Sequence, residues 1–245
     1  MLTILVPNYY NYDDLNNVVL EFVKENNACV RMIIIDAGDR ISSRDKILTH
    51  GAENIEVYFD SNSGVYEAFN FGIKQLKTKY YMVLGVDDVF DFKKLNLITN
   101  VLANIDYDLL FLGIEKSGIV SNSLKIDSIL SGPQGVFPSH TGGIIINRSL
   151  HDKYGFYSSN YKVLADGFFI SRCLLDKKIK FGLLGEVFCL VGDEGFSKQK
   201  EFWSEYEALK IRNKFGQTLI KSYYLFVIRV SKRVIKNALR LLKLR

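Results

Sequence analysis

Between Asp60 and Asp88 the chain has few ways to fold. Asp60-Ser-Asn62-Ser-Gly64 is built of turn-forming residues, and Val65, Phe69, Ile73 and Leu76 then recur at spacings of four, four and three. That is one stripe of an amphipathic helix. Tyr80-Tyr-Met-Val-Leu84 is short, rich in β-formers and unbroken, so it reads as a strand buried on both faces. It stops at Gly85-Val86-Asp87-Asp88. In an open α/β sheet, ligands bind outside the carboxyl ends of the strands, where these two acids project. Adjacent carboxylates repel and raise each other's pKa unless a positive charge lies beside them. A divalent cation meets that need, and hard oxygen ligands suit Mg²⁺ or Mn²⁺, which complete their shells with water and substrate phosphates. The plainer reading is an acidic pair that opens a turn and caps the next helix.

The spaced pattern Asn62-x-Gly64-x-x-x-Ala68-x-Asn70-x-Gly72, then an apolar strand and Asp87-Asp88, resembles the inverting family 2 glycosyltransferases of the GT-A fold, especially those that build bacterial surface polysaccharides. The resemblance implies a Rossmann-like, mostly parallel central sheet flanked by helices. It implies that Asp88 holds Mn²⁺ or Mg²⁺, and that Pro7, Asp36, Asn62, Gly64, Asn70, Asp87 and His140 contact the donor nucleotide. In relatives an acid follows the second strand within an Asp-Gly-Ser-Thr-Asp-Gly run. Here Asp36-Ala-Gly38-Asp39-Arg40 keeps the acid without the rest. Family members also carry an acid at the start of a later helix that faces the acceptor, and Asp166 in Ala165-Asp166-Gly167-Phe168 stands at that place as the catalytic base. An Asp there is otherwise a helix cap. His140, before the apolar run Ile144–Ile146 and Asn147-Arg148-Ser149-Leu150, matches a His or Gln of the family that binds donor phosphate or metal.

The rest of the chain agrees with an α/β architecture. Leu2–Val6 reads as a first strand closed by Pro7, and Asp13 or Asp14 as the cap of a helix carrying Leu15, Val18, Val19, Phe22 and Val23. Arg31–Ile35 and Ile55–Phe59 read as further strands, with Ser42-x-x-Asp45 as a capping box between them. Helical periodicity returns at Leu95, Ile98, Val101 and Leu102, and Leu109–Gly113 reads as a strand. Residues 115–138 read as hairpin and loop. Strands alternating with helices over short connections imply right-handed crossovers. We divide the chain into a nucleotide-sugar-binding half (1–113), an acceptor-binding half of the same domain (114–207) and a basic tail (208–245).

Several chemistries lack their signatures. There is no Gly-x-x-x-x-Gly-Lys-Ser/Thr loop, no Gly-x-Gly-x-x-Gly after a strand, no His-Glu-x-x-His, no Cys-x-x-Cys and no Gly-x-Ser-x-Gly. Cys29, Cys173 and Cys189 are odd in number and widely spaced, which suits a reducing cytoplasm. No secretory signal or spanning helix is expected at the start. The Gln-x-x-Arg-Trp motif of processive relatives is missing, so transfer of one sugar is expected.

Charge is segregated. Residues 1–207 hold 21 basic and 27 acidic residues, whereas 208–245 hold eleven basic residues and no acid. The tail interleaves these with Tyr223, Tyr224, Leu225, Phe226, Val227 and Ile228, which reads as an interfacial amphipathic helix on an anionic membrane, or as a helix packed on a second subunit in a homo-oligomer. No nucleic-acid motif accompanies it. The expectation is a metal-dependent transferase that moves one sugar from a nucleotide diphosphate donor, UDP-linked, to a glycan or lipid-linked acceptor in surface-polysaccharide biosynthesis. It would be cytoplasmic and peripheral on the inner face of the cell membrane. The alternative is a non-catalytic nucleotide-sugar or membrane-surface binding module of the same fold.

Overall fold

The computed structural model describes residues 1–25, 27–60, 64–122, 140–192 and 201–243, with side chains in the last segment described for 202–232, 234 and 235. Strands β1 (Leu2–Asn8), β2 (Val30–Asp36), β3 (Ile55–Phe59) and β4 (Tyr80–Val83) run parallel in the order β3-β2-β1-β4. Three helices alternate with them: α1 (Tyr12–Glu25), the single turn α2 (Arg40–Ser43) and α3 (Val65–Gln75). Alternate residues of a strand face opposite sides, and both sides here are covered. Ile4, Val6, Met32 and Ile34 meet Leu15, Val19 and Phe22 of α1 in one core. Leu5, Ile33 and Ile35 meet Tyr66, Phe69 and Ile73 of α3 in the other. Near-continuous apolar strands are what burial on two faces requires.

β1 does not stop at Pro7 but continues through Asn8, paired to Asp36 of β2. The reason is which way the missing N–H points. Leu84 N donates to Leu5 O on the β4 side and Ala37 N donates to Asn8 O on the β2 side, so residue 7 faces β4. β4 pairs only with Leu2–Leu5, and Pro7 leaves no donor orphaned. Two caps also differ from expectation. Asn11 rather than Asp13 or Asp14 receives the first helical amide of α1, from Asp14 N. Asp39 rather than Ser42 caps α2, accepting from Ile41 N and Ser42 N.

Beyond β4 the sheet becomes mixed. It continues through β5 (Val89–Phe90), α4 (Leu95–Asn104), the hairpin β6 (Leu109–Lys116) and β7 (Ile119–Ser121), β8 (Ile144–Asn147), α5 (Ser149–Tyr154), α6 (Ala165–Leu174) and β9 (Phe181–Val191). The full order among the described residues is β3-β2-β1-β4-β8-β6-β9-β5, with β7 on β6. β8 is antiparallel to both β4 and β6, and β9 is parallel to β6. Two helices close the chain, α7 (Glu201–Lys214) and α8 (Leu219–Lys243), separated where Gly216 takes φ +80°.

Candidate active site

The turn after β4 folds back on itself. Asp88 N donates to Gly85 O at 3.2 Å, and Gly85 N donates to Asp88 Oδ2 at 3.1 Å. Oδ1 receives Gly192 N at 3.0 Å, from the end of β9. Only 3 % of Asp88 is exposed. Burial raises its pKa above the ordinary carboxylate value; His140 and the Gly192 amide pull the other way, and Asp87 beside it adds to the rise. Gly192 must be glycine, because a Cβ there would lie 2.4 Å from the Asp87 carbonyl oxygen. Asp87 is half-buried next to it.

His140 reaches this carboxylate from the segment leading into β8, with Nδ1 3.5 Å from Asp88 Oδ2. Gly142 N donates to the same nitrogen at 3.3 Å. A buried carboxylate with a second carboxylate, Asp87, beside it is an arrangement a cation resolves. No group of three or more His, Cys, Asp or Glu with metal-holding geometry exists among the described residues. Mg²⁺ and Mn²⁺ do not need one, since they take one or two carboxylates and fill their shells with water and substrate phosphate. The donors present, Asp88 and Asp87 with His140, fit such an ion shared with a diphosphate.

Asp166 comes from a separate part of the chain. It sits in the first turn of α6 rather than at its cap, which is Leu164, and its carboxylate is turned to Tyr66 of α3. The Tyr66 hydroxyl lies 2.7 Å from Asp166 Oδ1 and 2.6 Å from the Val163 carbonyl oxygen. One phenol proton cannot serve both. Tyr66 donates to Asp166 while the acid is ionised, and turns its proton to Val163 when Asp166 takes up a proton and becomes the donor. Burial raises the Asp166 pKa, with the Tyr66 hydrogen bond opposing. His140 acts electrostatically on Asp166 as well as on Asp88. The approach to α6 is held by Glu207 of α7, whose carboxylate accepts from the backbone amides of Lys162, Val163 and Leu164 at 2.6, 2.9 and 2.9 Å.

Asp36 ends β2 fully enclosed, its oxygens accepting from Asn8 Nδ2 at 2.7 Å, Gly38 N at 3.1 Å and Tyr12 OH at 3.3 Å. It therefore ties the ends of β1 and β2 together. Asn70 exchanges two hydrogen bonds with the main chain of Tyr157, fastening α3 to the segment before α6. Pro7 lies half-buried in β1, and Gly64 precedes the first turn of α3. Asn62 lies outside the described residues. An open cleft of about 680 Å³ lies elsewhere, lined by Lys77, Lys79, Arg148, Lys178 and Lys180 at the opposite end of β4 from Asp88. The strand-end chemistry outweighs its size, because the buried carboxylate of raised pKa, Asp88, is at the other pole.

Gly192, Tyr66 and Glu207 were not found from sequence. β9 carried a signal, an eleven-residue stretch rich in Phe, Leu, Val and Cys, but Gly182, Gly185 and Glu186 interrupt it and the register against β6 shifts around Gly113. Tyr66 looks like any apolar helix residue, and nothing local marks Glu207.

Uncharacterized glycosyltransferases of Rickettsia typhi and Rickettsia prowazekii are 23 % and 24 % identical over 179 residues, covering 68 % of this chain and 56 % of theirs. A Rickettsia felis glycosyltransferase is 23 % identical over 137 residues, 53 % of this chain and 23 % of its own. The chain thus spans at most about half the length of these relatives. Among solved structures, the mannosyltransferase PcManGT of Pyrobaculum calidifontis, in complex with GDP-Man and Mn²⁺, superposes with a TM-score of 0.64 at 13 % identity, over 91 % of this chain and 69 % of that one. S. aureus TarS with UDP-GlcNAc gives 0.62 at 12 % identity, over 92 % and 70 %. The fold is that of the GT-A glycosyltransferases. The model of the family described as glycosyl transferase family 2 matches residues 3–169, and the chain belongs to that family.

Proposed function

We propose that the protein is a metal-dependent, inverting glycosyltransferase that moves one sugar from a nucleotide diphosphate donor, UDP-linked, to a saccharide or lipid-linked saccharide in the building of a surface polysaccharide at the cytoplasmic face of a membrane. The observation that carries this reading is the buried Asp88 carboxylate at the end of β4, held by the Gly85 and Gly192 amides, with Asp87 beside it and His140 Nδ1 3.5 Å away. Family membership and the nucleotide-sugar complexes of the structural neighbours support it. Asp88, Asp87 and His140 would bind Mn²⁺ or Mg²⁺ with the donor diphosphate. When bound, the ion acts as a Lewis acid on the departing nucleotide. Asp166 takes the proton of the acceptor hydroxyl, and Tyr66 turns its own proton to Val163 so that the protonated acid has a partner. A single displacement with no covalent enzyme intermediate inverts the anomeric centre.

The test is donor screening with Mn²⁺, read by nucleotide-diphosphate release and by NMR of the product's anomeric configuration. Asp88→Asn is expected to abolish metal-dependent donor binding in calorimetry while the protein stays folded. Unaltered binding of donor and Mn²⁺ would remove Asp88 from the metal site. Donor binding without transfer to any saccharide acceptor would favour the binding-module alternative.

A further inference from the structure

Helix α8 is amphipathic with its faces reversed. In a helix that serves a core, the apolar stripe faces the protein and the charged face meets water. Here Ser222 is fully buried and bonds Gln217 at 3.0 Å, and Arg229 lies 3.7 Å from Glu205 of α7. The opposite face carries Ile220, Tyr223, Tyr224, Val227, Val234 and Ile235, spaced by three, one, three, seven and one, with Ser231 between. All are exposed, Ile220 by 86 %, Tyr224 by 64 % and Val234 by 62 %. Successive residues turn by about 100°, so these positions form one arc roughly 22 Å long on which no charge falls. Lys221 and Lys232 are exposed along one margin of it. Phe202 and Trp203 of α7 are exposed too, Phe202 with its ring 6.2 Å from that of Phe226.

We propose that this face lies in the headgroup region of an anionic lipid bilayer, with α8 parallel to the surface. Three observations select a lipid surface. The arc is apolar with cations at its margin, where lysine stems lie along the hydrocarbon boundary and their ammonium groups meet lipid phosphates. No acid follows Glu207, so the segment's charge has one sign. Exposed Trp and Tyr side chains are the residues that settle at a membrane–water interface. A second copy of the chain fits less well, since pairing two such faces would set two acid-free basic segments side by side. The helix lies on the surface and does not cross it, because no helix among the described residues is long and apolar enough to span.

The inference is independent of the transfer chemistry, as vesicle binding is read without donor or acceptor. The full chain is expected to co-sediment with vesicles of 70 % phosphatidylcholine and 30 % phosphatidylglycerol, a composition chosen at roughly physiological anionic content, and weakly with pure phosphatidylcholine. The double variant Ile220→Asp and Val227→Asp changes only exposed positions, so its melting curve should match the parent while binding falls on the order of 100-fold. Lys221→Gln with Lys232→Gln should lose roughly 25-fold at low salt and less at high salt. Equal binding by parent and Ile220→Asp/Val227→Asp overturns the proposal, as does absence of parental binding. A dimer that becomes monomeric in the same variant, with no vesicle binding by the parent, assigns the face to a second copy instead.

Discussion

Tyr66 has one proton and two oxygens waiting for it, and that is the sharpest chemical statement the site makes. It leads to a separation of roles. Asp166→Asn keeps the shape of the side chain but removes the basic oxygen, so turnover should fall by about 10²–10⁴ while donor affinity is unchanged. Tyr66→Phe leaves the base without its partner and Val163 without a donor; a smaller loss of kcat with a shifted pH–rate profile is expected. If Asp166→Asn lowered only the melting temperature and left kcat intact, the acid would be a structural member of α6. The sequence made Asp87, Asp88 and Asp166 visible because short polar residues at element ends stand out against apolar runs. It did not show that Asp36 and Asn70 spend their polar atoms on the protein itself, since that depends on Asn8, Gly38, Tyr12 and Tyr157 arriving from elsewhere.

Among the elements, α7 matters more to the site than its position near the end of the chain suggests. Its buried Glu207 holds three consecutive amides of the segment that enters α6. Glu207→Ala should cost about 3 kcal/mol, because those amides lose a charged acceptor and are left in a poorly hydrated place. The same change should lower kcat without weakening donor binding, which urea melts and calorimetry on one preparation would check. Arg212, on the same helix, makes the opposite case. Its guanidinium is fully buried and has no hydrogen-bond partner among the described residues. Burial and the neighbouring Arg229 lower its pKa, with the buried Glu205 carboxylate opposing. Arg212→Met should therefore be neutral or stabilising in the same urea melts, and a large loss of stability would show that the charge is matched within the fold. Helices and buried strands of the first half were legible from periodicity because each follows one period over its whole length. β9 was not, as glycines and a register shift break the pattern along the strand.

For the molecule as a whole, acid stability should turn on His151. Its ring is stacked between Phe156 and Phe169, and burial lowers its pKa to about 4, with the Gly155 carbonyl opposing. Nδ1 donates to that carbonyl, so Nε2 accepts from the Tyr81 hydroxyl. A group whose folded pKa is depressed supplies stability that is complete above its unfolded value of about 6.5 and is lost as pH falls through 4. From pH 8 to pH 5 the loss should be about 2 kcal/mol, read as a shift in urea midpoint, and His151→Gln should flatten it. Asp166 has the opposite sign: its raised pKa favours the folded state below that pKa and costs stability as pH rises through it. An unchanged midpoint in the parent between pH 8 and pH 5 would mean that the ring is accessible to protons in the folded state.

The hydrogen bond from Gly192 to Asp88 spans 104 residues of chain. On a ribosome, which delivers the chain from its amino end, β1 to β4 and the turn bearing Asp88 emerge long before β9 does. Until then this carboxylate lacks the donor that meets its Oδ1, and the nascent half has a sheet without a finished site. Competence to bind donor should thus arrive late in synthesis, with the segment around Gly192, rather than with β1 to β4. Expressing the first half alone should give a strand-and-helix layer that holds donor poorly.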